Sequence, residues 1–194
     1  MRRSVVLLLA AAALVAGCSG TKSGTASTAP SSAPAESSGS AGAAPKVSNP
    51  LNTTAIDSDA CAALSAAKLA ELGYGEGEKR TTSRGPGCSL FAQDDRLNQV
   101  EVSSVTDASD GLEAVYAKRA DDAYFEETQV SGYPAVYAEA IDGRPNGKCG
   151  LFVGVSDQRV VYILVQYDNG AGASAPCPVA LKVGEAMIET LKEG

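Results

Sequence analysis

Apolar and polar positions divide the chain into three stretches of different character. Val5 to Val15 is an unbroken apolar run of Val, Leu and Ala. At about 11 residues it falls short of the roughly 20 that a membrane-spanning helix needs. From Ser19 to about Thr54 the chain is Ser, Thr, Ala, Gly and Pro, with Val47 and Leu51 its only bulky apolar side chains. Burying so little does not offset the entropy of ordering the backbone, so this stretch is predicted to be a tether spanning roughly 30–36 Å as a coil. Beyond it, the periodicities of a folded domain begin.

The first helical segment is expected at Asp57 or Ser58, either of which can cap it, and carries Cys61, Leu64, Leu69 and Leu72. Ser65 divides it into two short helices, and Gly73 is a C-terminal stop. A loop through Gly85-Pro86-Gly87 leads to a strand at Cys88–Phe91, and Asp94-Asp95-Arg96 turns into a second over Leu97–Val105. Leu112, Val115, Tyr116 and Arg119 have helical spacing and predict a helix over 109–120. Three strands follow. The first, Gln129–Ile141, is broken by Gly132 and Pro134. Asn146-Gly147 is a hairpin turn into Cys149–Val155, and Ser156-Asp157-Gln158 turns into Arg159–Tyr167. A closing helix opens at Pro178, with Ala180, Val183, Met187 and Leu191 on one face. The expected class is α+β: an antiparallel sheet of about five strands covered by helices.

The amino terminus changes the picture. Arg2 and Arg3 precede the apolar run, which ends in Val15-Ala16-Gly17-Cys18, the arrangement of a lipoprotein signal with its lipobox. Small residues let a peptidase approach the backbone, and the Cys18 thiol takes a diacylglyceryl thioether before cleavage. Each buried acyl methylene contributes about 0.8 kcal/mol, so two or three chains hold a protein on a bilayer. The expected organisation is a signal peptide over 1–17, the lipidated Cys18 and its tether over 18–55, and one globular domain over 56–194. The expected location is the extracellular face of the cell membrane.

Composition excludes several chemistries. There is no His, which removes Ser-His-Asp and Cys-His catalysis and His-containing zinc sites. The net charge is -7, and loss of Arg2 and Arg3 makes the remainder more acidic, so nucleic acid is not an expected partner. With aromatics at 5% and no Trp, the core must rest on Val, Leu, Ala and Ile. Apart from Cys18, the cysteines are Cys61, Cys88, Cys149 and Cys177. An even set with no CxxC pair reads as two disulfides. Of three pairings, Cys61–Cys88 with Cys149–Cys177 is favoured, because each then ties a helix start to a nearby strand.

These parts together resemble a known family. Asp59-Ala60-Cys61-Ala62-Ala63-Leu64-Ser65, the helix ending in Leu72-Gly73, Gly87-Cys88, Val130-Ser131-Gly132-Tyr133-Pro134-Ala135, the Cys149 strand and Cys177 at the last helix resemble the actinobacterial lipoproteins containing domain of unknown function 3558. The resemblance implies a surface location and the same disulfide pairing. It brings no reaction, no cofactor and no catalytic residues. By fold analogy alone the layout also resembles PsbP-like α/β/α sandwiches, which are accessory or binding modules.

Candidate chemistry beyond this is thin. The acidic pairs Asp57/Asp59, Asp94/Asp95, Asp121/Asp122 and Glu126/Glu127 are adjacent in sequence, which does not place two carboxylates across a cleft. Asp121, Asp122 and Glu126 lack the alternating oxygen ligands of a calcium loop. Gly73-Tyr74-Gly75-Glu76-Gly77 follows a helix and carries acids, so it reads as a cap and loop and not as a phosphate cradle. Tyr124, Tyr133, Tyr137, Tyr162 and Tyr167 line a groove or are half-buried sheet residues. Arg144 to Lys148 forms a basic turn. With no catalytic set, the expectation is a non-enzymatic, lipid-anchored binding or accessory lipoprotein of the envelope. Its partner is the membrane through the lipid, together with an envelope protein, a wall polymer or a small ligand. A cell-wall or lipid-modifying enzyme using carboxylates, and a structural docking protein, are the alternatives.

Overall fold

The computed structural model describes residues 42–194; the lipobox, Cys18 and most of the tether fall outside them. Seven antiparallel strands form one sheet in the order β1-β2-β3-β7-β6-β5-β4. The strands are β1 (Glu78–Thr82), β2 (Gly85–Phe91), β3 (Gln99–Val105), β4 (Tyr124–Val130), β5 (Tyr133–Glu139), β6 (Lys148–Ser156) and β7 (Arg159–Gln166). The helices are α1 (Thr54–Ser58), α2 (Ala66–Leu72), α3 (Leu112–Tyr116), α4 (Gly170–Ser174) and α5 (Pro176–Glu193). The class is α+β as expected, but the count of about five strands is corrected to seven.

The two extra strands lie at the sheet's edges. β1 is almost entirely exposed, and so shows no apolar alternation. Tyr124–Val130 carries Glu126 and Glu127 mid-strand and pairs along its length with β5. Ser131 and Gly132, at φ 49° and 86°, make the two-residue turn between them, so the expected broken strand is a hairpin. Gly85-Pro86-Gly87 lies within β2 and is not a loop.

Register fixes two faces. On one, Val102, Ile163, Leu151 and Tyr137 lie in a row across four strands. Helix α5 packs here through Ala180, Val183, Met187, Ile188 and Leu191, at the spacing of a helical stripe. It begins at Pro176, two residues earlier than Pro178 implied. Ile56, Ala60, Ala63 and Leu64 extend the same layer. Ser65 caps α2 by accepting from the Lys68 N–H, and Gly73 ends it at φ 78°, as expected. Asp57 is not a cap. It lies inside α1, and its carboxylate accepts from Ser104 Oγ at 2.7 Å and Arg159 Nε at 3.2 Å, fastening the helix to the sheet.

The disulfides are Cys61–Cys88 and Cys149–Cys177, with Cα atoms 5.0 and 5.2 Å apart. Both join the helical layer of this face to a strand. Gly77 lies against the first bridge, where a Cβ would collide with the Cys88 sulfur.

The tether ends earlier than composition implied. Val47 is only 8% exposed within the core of the α5 face. Its N–H donates to Asp157 Oδ1 at 3.0 Å, and the Leu51 N–H donates to the Val155 carbonyl at 2.9 Å. Ala44 N–H donates to Glu113 Oε2 at 3.0 Å. One buried valine and three backbone anchors are enough to seat this strap along the domain.

Candidate functional site

The sheet's second face carries the site, and chain topology explains why. β3 lies in the middle of the sheet and β4 at its far edge, so residues 106–123 must cross this face to join them. The crossing contains α3 and a 3₁₀ turn over Arg119–Asp121, where one continuous helix over 109–120 was expected. Leu112, Val115 and Tyr116 pack it onto Val136, Phe152, Val160 and Tyr162. The seal is incomplete. A cleft of about 190 Å³ remains between the crossing and the sheet. Its floor is Val105, Ala108, Val115, Ala138 and Phe152; its rim is Arg84, Asp107, Lys118, Asp122 and Glu139.

Arg84 is the organising side chain. It occupies the β1–β2 turn, and its carbonyl accepts from the Thr106 N–H at 2.9 Å. Its guanidinium lies 4.2 Å from the centroid of the Tyr162 ring and 5.3 Å from that of Phe152. These two rings pack against each other at 4.6 Å. Cation–π attraction of this kind strengthens where water is partly excluded, and Arg84 is about one-third exposed. Glu139 Oε1 lies 3.9 Å from the guanidinium and accepts the Tyr162 hydroxyl. Burial, and after it the Glu139 charge, holds the phenol far above its ordinary pKa, so Tyr162 is a fixed donor. Asp122 closes the rim. Burial and then the neighbouring Asp121 raise its carboxyl above the usual aspartate value.

Most sequence candidates are placed elsewhere. The five tyrosines do not share a groove. Tyr133, Tyr137 and Tyr167 pack on the α5 side, with Tyr167 Oη 2.7 Å from Tyr74 Oη, whereas Tyr162 lies on the opposite face. Tyr124 is buried and accepts from the Gly150 N–H. In the basic turn Arg144 is neutralised: it contacts Asp142 at 2.7 Å and Glu126 at 2.6 Å, and lies 4.0 Å over the Tyr124 ring. Residues 144–146 form a 3₁₀ turn, and Gly147, at φ 72°, follows it, so the connection is longer than a two-residue turn. The acidic pairs diverge. Asp59 caps the 3₁₀ turn at Cys61 and meets Lys79, Glu127 meets Arg119, and Asp95 accepts from the Leu97 N–H. With Glu126 held by Arg144, Asp121, Asp122 and Glu126 form no calcium cage. Among the described residues no group of three or more His, Cys, Asp or Glu is arranged to hold a metal ion.

Sequence reading missed Arg84, Phe152 and Glu139 altogether. None lies in a motif; 55 residues separate Arg84 from Glu139, and only the β1–β2 turn and the end of β5 bring them together. A wider depression of about 400 Å³, near Leu72, Tyr167 and Asn169, is bordered by turns and has a single charged side chain, Asp94. It offers less to fix a ligand's orientation.

A family model described as protein of unknown function (DUF3558) matches residues 13–190. None of the curated proteins and none of the solved structures matches the chain, so the PsbP-like analogy carries no argument.

Proposed function

The chain belongs to the DUF3558 family, and from that premise we propose that it is a lipid-anchored, extracytoplasmic binding or accessory lipoprotein of the cell envelope, with the Arg84 cleft as its binding site. The observation that carries the binding reading is the cleft itself: an apolar floor beneath a few convergent charged groups, the usual make-up of a small-molecule site. At about 190 Å³ it is smaller than pockets for drug-sized ligands, so it takes a compact molecule or one end of a longer one. Glu139 is already engaged by Tyr162 and Arg84, which suits a positioning group better than a nucleophile. Anchoring at Cys18 and placement on the outer membrane surface rest on Arg2 and Arg3, the apolar run and the Val15–Cys18 lipobox. Among the described residues no helix is long and apolar enough to cross a membrane.

Photo-crosslinking from the cleft rim in intact cells tests the binding reading. A crosslinker at Lys118 should capture a discrete envelope component, and capture should fall when the cleft is filled by Ala138→Phe. Unchanged capture would remove the cleft from the proposal. Separately, a Cys18→Ser chain should be shed to the medium. A second reading, a carboxylate enzyme of wall or lipid, draws on the raised carboxyl of Asp122 in the same cleft as Glu139. It requires turnover that Asp122→Asn and Glu139→Gln both abolish.

A further inference from the structure

The charges around the cleft are of both signs, and most are uncommitted. Arg84 is held by ring stacking, and Glu139 at 3.9 Å is beyond hydrogen-bond length, so most of its five N–H donors are free for a ligand. Lys118 and Asp107 flank the opening, each without an ion-pair partner among the described residues, and Asp122 is half-buried beside them with none either. A simple anion would meet Asp107, Asp122 and Glu139. A simple cation would meet Arg84 and Lys118. A solute carrying one charge of each sign satisfies both sets, and an aliphatic side chain beside the charges covers Val105, Val115 and Phe152. The space of about 190 Å³ is roughly that of six water molecules, the scale of a single small solute.

We propose that the Arg84 cleft binds a compact aliphatic zwitterion of the amino-acid class, its carboxylate on the Arg84 fork and its ammonium on Asp122. The planar guanidinium, held over the Tyr162 and Phe152 rings, matches a carboxylate through two parallel N–H···O bonds. Glu139, engaged by the Tyr162 hydroxyl, lies 3.9 Å from that fork and leaves its donors open. Asp122, half-buried just after the Arg119–Asp121 turn, gains most from an ammonium because it has no ion-pair partner in contact among the described residues. This assignment rests on the reading of the cleft as a binding site.

Calorimetric titration of the whole chain with leucine, 4-methylpentanoate and isopentylamine tests it, with amide NMR shifts locating the contact. Leucine should saturate, with shifts at Val115 and Ala138. Each single-charge analogue should bind about tenfold more weakly or worse, the loss expected when one charge-assisted hydrogen bond is removed. Arg84→Gln should bring leucine down to the level of isopentylamine, and Asp122→Asn to the level of 4-methylpentanoate. The analogue comparison needs no variant, so it holds if Arg84→Gln fails to fold. An analogue that binds at the cleft as tightly as leucine overturns the zwitterion assignment while leaving the binding reading intact. Failure of leucine to saturate overturns it too, and the crosslinking experiment then decides the broader reading separately.

Discussion

Tyr162 and Asp122 show how differently two polar groups respond to partial burial beside the same cleft. Tyr162 has an acceptor in Glu139, whereas the Asp122 carboxylate has no donor among the described residues. Tyr162→Phe leaves that carboxylate with one donor fewer, and should lower stability by about 1 kcal/mol in urea unfolding; water reaching Glu139 would hold the loss to a few tenths. For Asp122 the sign is reversed. Its folded pKa is raised, so the native state binds more protons than the unfolded chain at pH values just above the ordinary aspartate value near 4. Stability associated with this group therefore falls as pH rises through that window. Asp122→Asn should unfold at a higher temperature than the parent at pH 7, with the gap closing below about pH 4. A variant no more stable at pH 7 would mean that water solvates this carboxylate fully.

Elements differ in how plainly the sequence announces them. Ser65, Gly73, the stripe on α5 and the Arg159–Gln166 strand were all legible, because each buries one side or satisfies a helix end locally. β1 and β4 were not, because edge strands with exposed charges lack the alternation that a half-buried strand shows. Helix α3 is shorter than its apolar spacing implied: after Tyr116 the chain must turn towards the far edge, and Ala117 to Ala120 are exposed. The strap was read as tether because Val47 is isolated among polar residues, and its burial depends on a surface remote in sequence. The cleft was illegible for the same reason. Deleting residues 1–52 instead of 1–42 should lower stability by about 1–3 kcal/mol in thermal unfolding, from the Val47 side chain and three backbone hydrogen bonds less their ordering entropy. The four domain cysteines were the strongest signal. Replacing Cys149 and Cys177 together by Ser should cost about 3–4 kcal/mol in denaturant unfolding, the chain-entropy value for a 28-residue separation.

At the scale of the whole molecule, the seated strap shortens the leash. With Ala44 fixed at Glu113, about 25 residues separate Cys18, the proposed anchor, from the domain, and they span at most about 90 Å whatever form they take. Both disulfides lie on one side. Each rivets the α5 layer to the sheet, while the layer bearing α3 is held without a disulfide, by packing, hydrogen bonds and the Arg119–Glu127 ion pair. The domain is thus a cross-linked backing plate with an unriveted front, and local opening should be confined to the front. In deuterium exchange, amides of Leu112–Tyr116 should be replaced well before those of Val183–Leu191. That ordering would let a solute enter by loosening one short helix, with the rest of the molecule kept closed by its covalent bolts.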